Sequence, residues 1–560
     1  MADAMLAAVS GMKAHQGMIE VAGNNLANVN TSAFKASRVR FCDLLSETLK
    51  EGSQPSGTIG GMNPQQLGNG ARLASVDRDM SQGSLMTTGQ PLDMAIEGDG
   101  YFVLNDGNTD VFTRVGAMAV DSKFYLVDPA TGYRVQRFGS EGLEDGFQEP
   151  SDSAIRIPYD QALPAKPTDR ITFTGNLSAD DTDPTTNRLR ANMAYTTASG
   201  AGASRDTLLT DIVEGGDTLV DGDVILLNGV RRDGSAVTDV EFDTFTGGVS
   251  NTLGDLLDFM NTTYADPADP TDLWSVASIS NGEVFLTDVE SGYSQTDLEL
   301  SMKATAVGAL EFPKYFRLDE AGGQAARQAN IEIYDSQGMA HSLSASLVKT
   351  TTVNKWDLVL LSVTGDVDVT RRRVPGINFL ADGSYGELDD PTSGYFGFRF
   401  AHDPLTTVNV TTKLGTLGEL DGLSQMGGAS TAVASDQDGY SAGWLTSISV
   451  SLDGVLMGLF SNGARKPIAA LKMATFQNPA ALLALGENYY EPSSNSGEAV
   501  LVRALTGGAG SVHGGALEKS NVDVANEFIS LIQAQNGFQA NARTIKVSDE
   551  MLSELTNLIR

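Results

Sequence analysis

The chain has 560 residues, more than one hydrophobic core supports, so several domains are expected. With 71 Asp and Glu against 38 Lys and Arg, its formal charge is -33, which repels phosphate backbones and anionic lipid. Neither nucleic acid nor membrane insertion fits that charge, and no apolar run approaches the roughly 20 residues a spanning helix needs.

In chain order, the opening MADAMLAAVSGMKAHQGMIE lacks the basic-then-apolar layout of a cleavable secretory signal and reads as a helix. Met5, Met12, Ile19 and Leu26 recur every seven residues, with Leu6 and Val9 widening the stripe. Asn24, Asn25, Asn28 and Asn30 crowd its end, a residue type that stops helices, tolerates left-handed backbone and bonds exposed peptide groups. The Gly- and Pro-rich stretch 51–70 reads as part of a flexible tether. Short strands follow in LDMAIEGDGYFVL (92–104) and DVFTRVGAMAVD (110–121), broken by Gly-Asp-Gly and similar turns.

Residues 181–319 form an insertion, with a helix in TLGDLLDFMNTTY and two strands joined through Asn281-Gly282. It is expected to protrude, since two chain crossings connect it to the rest. ANIEIYDSQGMAHSLSASLVK (329–349) is a hairpin around Asp335-Ser336-Gln337-Gly338, and KWDLVLLSV (355–363) adds a strand. SAGWLTSISVSLDGVLMGLFSNG (441–463) places turns at Asp453-Gly454 and Asn462-Gly463, and 465–485 runs from a strand into a short helical piece. At the C-terminal end Val524, Leu531, Phe538, Ile545, Leu552 and Ile559 form an unbroken seven-residue column, broadened by Phe528, Ile532, Met551 and Leu555. One such stripe cannot bury itself, so the two ends must pair with each other or with neighbouring subunits.

The fold class expected is multidomain: a terminal α-helical coiled-coil domain formed by both chain ends, plus mainly-β outer domains with a small α+β insertion. The inner and outer placement is what the resemblance of three of its segments to a known family implies. The divisions are 1–30 and 524–560 for the terminal helices, and 31–80 and 506–523 for connecting tethers. Residues 81–165 and 425–505 make an inner β domain, 166–180 and 320–424 an outer β domain, and 181–319 the outermost module.

Three segments in order carry a resemblance. AGNNLANVNTSAFKASRVRF (22–41), DMSQGSLMTTGQPLDMAIEGDGYFVL (79–104) and LEKSNVDVANEFISLIQAQNGFQANARTIKVSDEMLSEL (517–555) resemble the signatures of the bacterial flagellar rod and hook axial proteins, with Phe34 and Lys35 in the first. The 329–349 segment is similar to the outer domain of the hook members. Two departures stand out. Ala33 replaces the usual glycine before Phe34-Lys35, so the turn there avoids positive φ or accepts strain. VDSKFYLV also replaces the usual Asn-Gly hairpin after Val115.

The resemblance implies a non-enzymatic subunit of a flexible tube that transmits torque from rod to filament, with a distal rod subunit as the alternative. It further implies a homo-polymer outside the cell surface, exported by the flagellar type III apparatus without cleavage. The partners implied are the hook cap, the distal rod protein, the hook-filament junction protein and that apparatus, with no cofactor. Other classes find little support. Glu97 and Asp99, the best candidate for a carboxylate pair, lie in one β-turn, and Asp180, Asp181 and Asp183 lack the D-x-D-x-D-G calcium loop. Cys42 is the only cysteine, and His15, His341, His402 and His513 show no zinc spacing.

Overall fold

The computed structural model describes residues 2–55, 57 and 60–558. The chain folds as two compact units, one built from Met1–Leu163 and Gly443–Arg560, the other from Pro164–Ala442.

In the first unit, helix α1 (Ala2–Ala27) packs against a 35-residue C-terminal helix, Val524–Leu558. The two run antiparallel, with Asn25 meeting Glu527 at one end and Gly11 meeting Asn541 further along. The C-terminal helix begins at Asp523, whose Oδ1 accepts from the Ala525 and Asn526 amides and so caps two otherwise unpaired donors.

Residues 31–80, expected as a tether, are instead largely folded. Ser37–Asp43 pairs antiparallel with Ala71–Arg78, and this ribbon lies on α1. Gly17 admits the ribbon's Leu73, since a Cβ there would sit 2.8 Å from Leu73 Cδ1, and the His15 and Phe41 rings meet at 5.7 Å. The other expected tether, 506–523, is also structured: Ser511–Gly514 pairs with Met94–Glu97 and Ala516–Glu518 with Leu85–Thr87. Small residues let these backbones approach closely, which at sequence level is hard to tell from flexibility.

The β part of this unit encloses a core of Met94, Ile96, Phe102, Leu104, Leu126, Leu456 and Leu471. Leu445–Val450, Val455–Phe460 and Arg465–Leu471 form a meander whose turns place Gly454 and Gly463 at positive φ. The helical piece expected within 465–485 is only a 3-10 turn, Pro479–Ala481, followed by the strand Leu483–Gly486. Apolar residues there are spent on strand pairing, not on a helix face. In VDSKFYLV, Asp121 Oδ1 accepts from the Lys123 and Tyr125 amides and Phe124 takes φ 66°, so an Asp-led turn replaces Asn-Gly.

The second unit centres on a five-stranded antiparallel sheet, Ala326–Tyr334, Ala340–Lys349, Lys355–Val363, Arg373–Phe379 and Tyr385–Leu388. The Asp335 turn closes its first hairpin, with Gly338 at φ 81°. Both faces of the sheet are apolar. Leu347, Leu358 and Leu360 enter one core with Phe173, Phe396 and Phe398. Their neighbours Val348, Val359 and Leu361 enter a second core with Leu189, Leu257 and Leu286. The insertion therefore does not protrude as a separate body; it lies on this sheet. Its helix α2 (Leu253–Thr263) starts at a capping box between Thr252 and Asp255, and Asn281-Gly282 closes the hairpin as expected. Two expected boundaries shift. Phe316–Glu320 pairs with Arg188–Ala191, carrying the insertion past 319. Leu423–Met426 and Val433–Gln437 pair with Arg170–Ser178, so 425–442 belongs to the second unit.

Candidate assembly interface

The asparagine-rich end of α1 is a set of backbone-like clamps. Asn25 is fully buried; its side chain donates to the Ser37 carbonyl at 2.7 Å and accepts from the Ser37 amide at 2.9 Å, as a strand neighbour would. The same Nδ2 donates to Glu527 of the C-terminal helix at 2.9 Å. Asn28 Nδ2 donates to the Asn24 carbonyl at 2.9 Å, covering a helix-end acceptor, and its Oδ1 accepts from Thr31. Asn24 and Asn30 are otherwise exposed.

Lys35 is buried beneath this turn, and Phe34 beside it is half-buried. The Lys35 ammonium donates to Glu518 Oε1 at 2.7 Å and to the Ser81 carbonyl at 2.8 Å. Glu518 also accepts from the Gly83 amide at 2.8 Å and pairs with Arg114 Nε at 3.1 Å. Arg114 in turn donates to the Gly98 carbonyl at 2.6 Å. Burial, and then the Arg114 charge, pull the Lys35 pKa below its ordinary value, against the opposing pull of Glu518. Asn521 completes the junction: it accepts from the Ala36 amide at 2.7 Å and donates to the Asp79 carbonyl at 2.8 Å. One ion triad thus ties together three segments far apart in sequence. Of these groups sequence reasoning found Asn25 and Lys35 and missed Arg114, Glu518, Asn521 and Glu527.

Ala33 sits at this junction with φ 56°, its amide donating to the Glu518 carbonyl at 2.9 Å. The chain accepts the strain that a glycine would avoid. Ala33→Gly should therefore raise the stability of the first unit by about 0.5–1 kcal/mol, left-handed relief exceeding the added unfolded-state entropy. Denaturant unfolding of the purified chain checks this; a lower midpoint contradicts it.

Between the helices, small and polar residues form the closest contact. Glu527, Ala534, Asn541 and Ser548 recur every seven residues on the C-terminal helix; Ala534 and Ser548 are buried, Glu527 meets Asn25, and Asn541 packs over Gly11. The expected apolar columns flank that seam. Met12, Ile19, Leu26, Leu531, Phe538 and Ile545 are half-buried, whereas Met5, Val524 and Leu552 are exposed. Ile559 lies outside the described residues. Phe528 is 49% exposed and Ile532 55%, and Met551 is open as well. A single chain thus leaves an apolar strip along its longest helix without cover.

The other candidates gain no chemistry. Glu97 pairs with His513 Nε2 at 2.6 Å, and Cys42 is a half-buried free thiol on the ribbon. Among the described residues no group of three His, Cys, Asp or Glu is arranged to hold a metal ion, and no helix is long and apolar enough to cross a membrane.

Four family descriptions match parts of the chain. They are the flagella basal body rod protein (residues 5–35), the D1 domain of the flagellar hook protein FlgE/F/G (95–176), the D2 domain of the flagellar basal body protein FlaE (303–440) and the C-terminal region of the flagellar basal body rod FlgEFG protein (513–558). Among curated proteins the chain is 30% identical to the flagellar hook protein FlgE of Treponema pallidum and 29% to that of Borreliella burgdorferi, over 100% of both chains in each case. It is 24% identical to the flagellar hook protein FlgE of Escherichia coli, over 98% of each chain.

Proposed function

The chain belongs to the flagellar hook protein family, and from that premise we propose that its exposed helical strip is the surface through which it polymerises. It is a non-enzymatic, polymerising subunit of the bacterial flagellar hook, outside the cell, and its full-length likeness to hook proteins sets aside the distal-rod alternative. The observation carrying the proposal is the set of uncovered apolar side chains Val524, Phe528, Ile532, Met551 and Leu552 on the helix whose seam is already closed by small residues. Covering the remaining half of such a side chain stabilises by about 1 kcal/mol, repeated at every subunit contact. Nested terminal helices would give a continuous inner wall, with the β units outside it. A bent rotating tube lengthens on one side and shortens on the other, so apolar contacts at small radius hold while weakly packed polar outer contacts slide. The partners at its ends would be the distal rod protein, the hook cap and the hook-filament junction protein, after export by the flagellar type III apparatus.

Ile532→Ser tests the strip. The monomer's melting temperature should stay within a degree or two of the parent, because Ile532 is largely solvated in one chain. Polymerisation followed by light scattering and electron microscopy should need at least about tenfold more protein. Tubes forming at the parental concentration would refute the assignment.

A further inference from the structure

A cleft of about 430 Å³ opens in the second unit, away from any residue assigned to polymerisation. Four segments converge on it: the Arg232-Asp233 turn, residues 272–274, residues 289–293, and Thr351 in the turn after Ala340–Lys349. Two half-buried aromatic side chains, Trp274 and Tyr293, line it together with Leu273 and Val289.

Its walls are fixed without a ligand. The Tyr293 hydroxyl donates to Asp357 Oδ2 at 2.6 Å and accepts from Gln295 Nε2 at 3.0 Å, which locks the ring. Arg232 donates to the carbonyls of Glu290 at 2.8 Å and Ser291 at 3.2 Å, pinning the opposite segment. The Trp274 carbonyl accepts from the Val289 amide at 2.9 Å. By contrast, the Asp272 carboxylate, the Thr351 hydroxyl and the Trp274 indole N–H form no hydrogen bond among the described residues. The cleft therefore offers aromatic surface, one free acceptor, one free hydroxyl and one free donor in a preformed space.

We propose that this cleft binds a neutral pyranose sugar. Aromatic rings, that of Tyr293 held by its hydroxyl, offer the apolar, polarisable surface that the C–H face of a sugar ring takes, and flanking carboxylate and hydroxyl groups match its hydroxyls. The volume suits one or two rings, at the lower end of ordinary ligand pockets. Three carboxylates line the opening, Asp233, Asp272 and Glu290. The Arg232 guanidinium donates to main-chain carbonyls and lies 4.0 Å from Glu290, and that of Arg373 covers one side of the Tyr293 ring at 5.8 Å, so Asp233 and Asp272 form no ion pair among the described residues. That balance disfavours phosphates and acidic sugars. The site would let a hook subunit hold glycan, with no bond made or broken.

The test uses the full chain with maltose, cellobiose and lactose as neutral probes and sialyllactose as the anionic one, read by saturation-transfer NMR and indole fluorescence. At least one neutral disaccharide should receive saturation and bind about tenfold more weakly to Trp274→Ala and measurably more weakly to Thr351→Val. Trp444→Ala, which removes an exposed indole from the other unit, should leave binding unchanged. Should Trp274→Ala fail to fold, Thr351→Val decides. No transfer to any neutral probe, undiminished binding in both cleft variants, or equal binding of sialyllactose would overturn the proposal.

Discussion

Glu518→Ala should cost the first unit about 3–5 kcal/mol, a large share of the roughly 5–15 kcal/mol that keeps a typical domain folded. The side chains of Lys35, Arg114 and Glu518 are almost wholly buried, so removing the one anion leaves two cations facing each other out of water. The Gly83 amide loses its acceptor as well. Lys35→Met should cost less, because Glu518 keeps Arg114. A pH signature separates this cause from mere loss of packing. The Lys35 pKa is already lowered by burial and by Arg114, and Glu518 is the largest influence opposing that shift. Without Glu518 it falls further, so between the folded value and 10.5 the unfolded chain binds more protons than the folded one. Stability of Glu518→Ala should consequently rise with pH across that window, more steeply than in the parent. Urea melts at a series of alkaline pH values measure it; equal slopes would mean that the triad's charges are not what holds the junction.

Gly537→Ala should separate the two terminal helices, at a cost of about 1–3 kcal/mol. A Cβ at this position would overlap the His15 ring, which is itself held between the C-terminal helix and Phe41 of the ribbon. The helix gains some propensity from alanine, roughly 1 kcal/mol, but the overlap outweighs it because the half-buried ring is packed against Phe41 and can shift only by giving up that contact. The expected readout is loss of far-UV helix signal at low temperature and failure to form tubes. Combining it with His15→Ala should restore both, since the added methyl then fills the space the ring leaves. A double variant no better than Gly537→Ala alone would show that the seam is not set by this contact.

The architecture was legible where periodicity or turn chemistry expressed it. The two terminal columns marked both helices, the Asp335 and Asn281-Gly282 turns marked their hairpins, and Ala33 in a glycine's place marked a strained position that the structure shows at φ 56°. What stayed hidden has physical reasons. The ribbon Ser37–Asp43 with Ala71–Arg78 closes a loop of 27 residues, 44–70, whose glycines and prolines look like linker. Arg114 and Glu518 are single charges among 109, and nothing local distinguishes a buried one from a solvated one. The columns were found, yet their neighbours Gly11, Ala534 and Gly537 make the closest helix contact, because small side chains carry no periodic hydrophobic signal. Residues 320–424 read as part of an outer β domain separate from the insertion; the strands of the sheet Ala326–Leu388 are apolar on both faces, and that double face draws the insertion onto it.

Amide hydrogen exchange along Val524–Leu558, compared between the free chain and assembled tubes, is the most direct probe of where the uncovered strip finds its partners. In the free chain these amides should exchange far faster than those of the β core around Phe102 and Leu471, and in tubes they should slow by orders of magnitude. Equal protection of this helix in both states would contradict the account.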